Sequence, residues 1–305
     1  MRNQAVESTF LMSRKNDYVF KRIFGDPRNK SILISFLNAV LVETIVDVEI
    51  MNPELKREHI EDKLGILDIK VTTDRGIYVD VEIQVNYSVA MPKRTLYYWS
   101  KVYVEQLAMG SSFSKLMKTV TINIVDYRCF SNDKIHNCFI LKERETDEIF
   151  TDLMEVHFLE LPKIVADEAK AIPDDTLAQW LIFLETKDKE VLEVLSKKNK
   201  EIEKAYSIVE TMSKSKEERY VYEARQAMIH DIATLEEEKY EEGLKVGREE
   251  GREEGIEQGR EVGRKEGERL KALEIARKVK QKGILNSAEI AELLGLTSDE
   301  VDTLE

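Results

Sequence analysis

Apolar residues recur at two spacings along this chain, and the changes of spacing mark its elements. Val19, Phe20, Ile23 and Phe24 fall on one face of a 3.6-residue period, so residues 16 to 24 read as a helix that Gly25 can end in a left-handed conformation. Asp26 then serves as an N-cap with Pro27 at the first helical position, and Ile32, Leu33, Phe36, Leu37 and Val40 carry a second helix. From Ile45 to Ile50 the residues turn β-branched. "GILDIKVTTDRGIYVDVEIQV", Gly65 to Val85, follows as two strands around an Asp74-Arg75-Gly76 turn. A long helix opens at Pro92 and stops at Gly110, after which "KTVTINIVDY", "NCFILKE" and "MEVHFLEL" are apolar runs of strand length. Beyond Pro162 the pattern is helical to about Leu235, with "PDDTLAQWLIFLE" as its clearest amphipathic piece. This order predicts a mixed α/β core over residues 1–161 and a helical subdomain over 162–235.

The rest of the chain follows a different rule. Glycine recurs every fourth residue at 243, 247, 251, 255, 259, 263 and 267, with Glu and Arg filling most positions between. Each interior glycine costs a helix roughly 1 kcal/mol relative to Ala. The i,i+3 pairs Glu249–Arg252, Glu257–Arg260, Glu261–Arg264 and Glu266–Arg269 return only about 0.2–0.5 kcal/mol each. Residues 236–283 are therefore either a helix whose glycine stripe admits a partner backbone, making the protein a homo-oligomer, or a solvated linker. Residues 284–305 read as two short helices, with capping-box spacing at Asn286/Glu289 and Thr297/Glu300 and Gly295 between them. The outline is that of a helix-turn-helix, but "SDEVDTLE" is acidic where a DNA reader needs donors for base edges, which favours packing or partner contact.

Composition narrows the classes. The chain has 305 residues at 42% hydrophobic content, enough for a full core. The opening stretch lacks a signal-peptide core, and no run approaches the ~18 apolar residues of a membrane helix, so no membrane partner is expected. Cys129 and Cys138 read as reduced thiols of a cytoplasmic protein. A formal net charge of -13 argues against coating nucleic acid by bulk attraction. Local charge differs, because Arg14, Lys15, Lys21, Arg22, Arg28 and Lys30 face only Asp17 and Asp26. His59, His136, His157 and His230 show no ligand spacing and are assigned no role.

The acids of the Gly65–Val85 hairpin carry the candidate chemistry. Strand alternation puts Asp80, Glu82 and Gln84 on one face and Val79, Val81, Ile83 and Val85 on the other, while Asp68 comes near Glu82 across the ladder. Two carboxylates converging at a sheet mouth suit Mg²⁺, which takes one or two protein carboxylates and fills its other positions with water and substrate phosphate. By pattern alone, the wet face of an antiparallel strand accounts for such alternation more readily. Against that, Asp68 sits between Leu67 and Ile69, where an unpaired carboxylate is costly.

The succession "NDYVFKRIFG", "LDIKV", "VDVEIQ", "RTLYYWSKVYVEQLAMG", "KTVTINIVDY" and "VHFLELPK", from about Lys15 to about Leu235, resembles the PD-(D/E)XK nuclease family of putative transposases, the recombination-promoting nucleases. The resemblance implies a restriction-endonuclease-like core, a mixed sheet flanked by helices, and hydrolysis of DNA phosphodiesters with Mg²⁺ or Mn²⁺. By position, Asp68 and Glu82 match the metal ligands, with the Ile83 carbonyl as a third. Gln84 falls where the wider superfamily has its catalytic Lys, and Gln can hold a water but cannot take its proton. Asp17 and Lys21 lie in the first-helix motif, reaching either the site, the DNA backbone or plain solvent. Lys93 and Arg94 open the helix after the metal strand as phosphate contacts or surface charge. Asp80 is expected to be a solvated neighbour. The reading is a metal-dependent DNA endonuclease that feeds recombination, and its rival is a non-catalytic DNA-binding or assembly protein on a decayed nuclease core.

Overall fold

The computed structural model describes residues 10–51, 68–164 and 172–304. His59 and Gly65 to Leu67, invoked above, lie outside them. Two compact units divide the chain, Met1–Asp231 and Ile232–Glu305. No helix among the described residues is long and apolar enough to cross a membrane.

The first unit is built on a mixed six-stranded sheet in the order β1-β2-β3-β4-β6-β5. Its strands are β1 (Val48–Ile50), β2 (Ile69–Thr73), β3 (Tyr78–Gln84), β4 (Thr119–Val125), β5 (His136–Lys142) and β6 (Ile149–Glu160). β2 and β3 form the expected hairpin, turning through Gly76 at φ 76, which glycine adopts without strain. From β3 the chain crosses through α3 (Met91–Val104) to β4, which lies parallel to β3, and β6 lies parallel to β4. β3 and β4 are central and covered on both faces, so a near-continuous apolar run is expected of them. Asp80, Glu82, Thr121 and Asn123 depart from it, and register sets Asp80 beside Thr121 and Glu82 beside Asn123 on one face.

The opposite face, carrying Val79, Val81, Ile122 and Ile124, packs the main core against α1 (Asp17–Phe24), α2 (Lys30–Val40), α4 (Thr176–Glu185), α5 (Lys189–Lys198) and α6 (Lys200–Lys214). Phe24, Phe36 and Trp180 meet in this core, with ring centroids 5.4 to 6.3 Å apart. The "PDDTLAQWLIFLE" segment proves buried nearly all round rather than amphipathic, since Gln179 through Leu184 are all enclosed. Asp26 caps a short 3-10 turn over Pro27–Asn29 that leads into α2, as its sequence indicates.

Two predicted helix ends differ. Gly25 is right-handed, at φ -96, and what requires glycine there is proximity. An added Cβ would stand 2.8 Å from the Lys21 carbonyl oxygen, the same atom that accepts the Gly25 N–H. Gly25→Ala is therefore expected to destabilise the fold by about 1–3 kcal/mol, read as a lower melting temperature. The α3 helix ends at Val104, well short of Gly110.

A 67-residue helix, α7 (Lys216–Lys282), runs from the first unit into the second. The glycine repeat lies within it, and among the described residues nothing beyond the helix's own nearby backbone lies within 4 Å of a Cβ built at any of those seven glycines. Ion pairs inside the repeat form at i,i+4, Lys265 with Glu261 at 2.7 Å and Arg264 with Glu268 at 3.7 Å, rather than at the expected i,i+3. Arg269 bonds Glu300 instead of Glu266. In the second unit, α8 (Ser287–Leu294) and α9 (Ser298–Asp302) carry both capping boxes and the left-handed Gly295. They pack Ile290, Ala291 and Val301 against Ala276 of α7. Lys280 donates to the carbonyls of Val301, Asp302 and Leu304, which ties the end of this hairpin to α7.

Candidate active site at the mouth of the sheet

The last β2–β3 pair is Ile69 with Val81, and one further step of that antiparallel register puts Asp68 opposite Glu82. Asp68 precedes β2, which runs against β3 and β4. It therefore sits at the same sheet edge as their carboxyl ends, where open α/β sheets bind ligands. Here Asp68 replaces a ladder acceptor: its Oδ2 accepts the Ile83 N–H at 3.0 Å. Lys21, reaching from α1, holds Oδ1 at 3.0 Å. Gln84, half-buried at the end of β3, continues the face of Glu82.

Glu82 is 3% exposed. Its Oε2 accepts from Arg94 of α3 at 3.1 Å, while its Oε1 has no hydrogen-bond partner among the described residues. Burial pushes its pKa up to about 7, helped by the Asp68 charge and opposed by Arg94 and the Asp68 backbone. Arg94 in turn lies 5.2 Å from the centroid of the Tyr98 ring. Its side chain is 42% exposed and that of Lys21 36%, so both cations stand at the opening while Glu82 is inside.

Asp80 corrects the sequence expectation. Instead of a solvated neighbour it is fully buried, and neither carboxylate oxygen has a hydrogen-bond partner among the described residues. The cause is tertiary: α3 crosses over this face of the sheet, with Thr95 bonded to Asn123 and Trp99 to the Thr119 carbonyl. Lys70, opposite Asp80 in the ladder, is committed to Glu105 at 2.6 Å. Burial first, then the charges of Glu82 and Asp68, drive the Asp80 pKa well above the usual carboxylate range. Three acids thus share a small space, two of them with orphaned oxygens, and such an arrangement calls for a proton or a cation. That chemistry fits a hard divalent ion held by oxygen donors.

The remaining candidates scatter. Asp17 faces Arg225 at 3.9 Å rather than the acids. Lys93 is exposed in the first turn of α3, one residue before Arg94. A cavity of about 630 Å³ opens beyond the ends of β3 and β4, lined by Lys15, Val85, Asn86 and Asp126 among others. None of the three acids lines it, and Lys15 there is tied to Asp126 and Glu185 at 2.6 and 2.9 Å.

Sequence reasoning also passed over a cluster on the other face. His157 of β6 stands opposite Cys138 of β5, with His136 and Glu155 beside it. Its signal was the pairing of two strands, which linear spacing does not contain.

No curated protein and no solved structure matches the chain. The family model for the PD-(D/E)XK nuclease family transposase matches residues 14–238, which takes in the whole sheet, Asp68, Asp80 and Glu82. With a mixed sheet, flanking helices and an acid pair at the sheet mouth, the chain belongs to the PD-(D/E)XK nuclease family of transposases, and its fold is restriction-endonuclease-like.

Proposed function

We propose that the protein is a cytoplasmic, divalent-metal-dependent DNA endonuclease whose strand breaks promote recombination. The observation that carries this reading is the buried Glu82 with one unpartnered oxygen beside Asp68, over a third buried acid, Asp80. Asp68 and Glu82 would hold Mg²⁺ or Mn²⁺, with the Ile83 carbonyl as a third donor. Bound there, the ion supplies Lewis acidity toward a phosphodiester oxygen and charge for the phosphorane-like transition state.

The chain's own groups do the rest. The Ile83 N–H fixes the Asp68 carboxylate in place. Lys21 and Arg94 pair with Asp68 and Glu82 and, standing at the opening, would be within reach of DNA phosphates were a cation held by those acids. Lys93 adds a backbone contact from α3. Gln84 orients the attacking water through hydrogen bonds but supplies no charge. Lys21, 3.0 Å from Asp68, supplies the positive charge that Gln84 lacks. Lys21→Met is expected to slow cleavage about 10²-fold, with Lys21→Arg recovering much of it. Equal rates for the three proteins would remove Lys21 from the mechanism.

The direct test is conversion of supercoiled plasmid to open circles. Nicking in Mg²⁺ that stops with chelator and returns on readdition supports the reading. Absence of nicking in both Mg²⁺ and Mn²⁺ supports the assembly protein instead. The long exposed α7 is proposed to associate with a second copy of itself, since an isolated helix with seven interior glycines is poorly stable in water. Light scattering should then give a larger mass for the full chain than for a chain ending at Asp231, beyond the difference in length.

A further inference from the structure

Cys138, Glu155 and His157 project from one face of the β5–β6 ladder, with Cys138 and His157 directly paired and Glu155 two residues before His157. One donor atom from each lies within 4.8 Å of the others. His157 Nε2 is 3.3 Å from Glu155 Oε2 and 3.8 Å from Cys138 Sγ. Ordinary zinc bond lengths at tetrahedral angles would separate N from O by roughly 3.3 Å and N from S by about 3.6 Å. Two of the three metal-free donor separations therefore already stand close to the edges of such a tetrahedron, and the third lies within 4.8 Å.

The surroundings hold these atoms in place. His157 is buried and its Nδ1 is engaged by His136 Nε2 at 2.8 Å, the second-shell contact that orients a ligating imidazole and turns its Nε2 toward the other donors. The two rings stack with centroids 5.1 Å apart. Lys118 takes Glu155 Oε1 at 2.7 Å and leaves Oε2 facing His157, while Glu43, 2.5 Å from the same ammonium, offsets its charge. Cys138 is exposed, which gives an ion a way in.

We propose that Cys138, Glu155 and His157 form a second metal site for a borderline-soft divalent cation such as Zn²⁺. Its donor set separates it from the acids at the sheet mouth. A thiolate, an imidazole and one carboxylate favour zinc over magnesium, whereas Asp68 and Glu82 offer only hard oxygen. The two sites also lie on opposite faces, since His157 pairs with Ile122 and Glu82 with Asn123. On binding, the sulfur–metal bond forms as the thiol proton leaves to solvent, with no change of oxidation state.

Cobalt reports this site selectively, because only a thiolate ligand gives a charge-transfer band with Co²⁺. The reduced, chelator-stripped full chain is titrated with Co²⁺ in excess Mg²⁺. The band is expected to saturate at one Co²⁺ per chain and to vanish on adding Zn²⁺. It should be absent from Cys138→Ser and kept in Cys129→Ser and Asp68→Ala, with circular dichroism checking that each variant folds. A folded wild type without the band, or a Cys138→Ser protein that keeps it, overturns the site. Loss of the band in Asp68→Ala overturns its independence from the sheet mouth.

Discussion

Glu82→Ala is expected to lower the rate of plasmid nicking by about three orders of magnitude while the fold persists. A cation's stabilisation of the developing charge is worth several kcal/mol, and each 1.36 kcal/mol is about a factor of ten in rate. The fold survives because Glu82 is itself an awkward tenant, buried with one oxygen unpartnered and a pKa raised to about 7. Its partner Arg94 is half-exposed and returns to water when the acid is removed. Thermal denaturation in chelator should therefore show a melting temperature at or above that of the wild type. A rate within a few-fold of wild type would detach Glu82 from the chemistry.

Asp80→Asn should separate stability from function. In the metal-free protein at neutral pH the buried Asp80 carboxyl either carries an unpartnered charge near Glu82 and Asp68 or takes up a proton to avoid it. Removing the ionisable group is expected to stabilise by about 1–3 kcal/mol, a rise in melting temperature of roughly 2–10 °C for a unit of this size. Added Mg²⁺ should raise the melting temperature less in the variant than in the wild type, because less negative charge remains for the ion to offset. Lower stability in chelator together with an unchanged response to Mg²⁺ would show that Asp80 belongs to packing alone.

Much of this site could be read in the linear chain because it depends on short-range rules. The placing of Asp68 near Glu82, with Gln84 on the same face, follows from period-two alternation and a tight turn at Gly76, whereas their role as metal ligands comes only from the family resemblance; Asn286 and Thr297 follow from capping-box spacing. What alternation cannot say is whether a polar face meets water. Asp80 is enclosed because α3, the crossover between β3 and β4, lies over that face, and a crossover's resting place is a tertiary fact. His157 likewise gains its neighbours by strand pairing: Cys138 lies 19 residues away and meets it only when β5 folds back on β6. Gly25 shows the converse, where the residue type was a correct signal and its cause was close approach rather than handedness.

The central claim is that Asp68 and Glu82 together hold a hard divalent cation. Mn²⁺ serves as the probe, since loss of its free-ion paramagnetic resonance signal counts bound ions directly. In a Cys138→Ser background, which removes the thiolate site, the protein is predicted to bind Mn²⁺, with affinity falling by roughly 10²-fold or more when either Asp68→Ala or Glu82→Ala is added. Equal Mn²⁺ affinity in all three proteins would contradict the account.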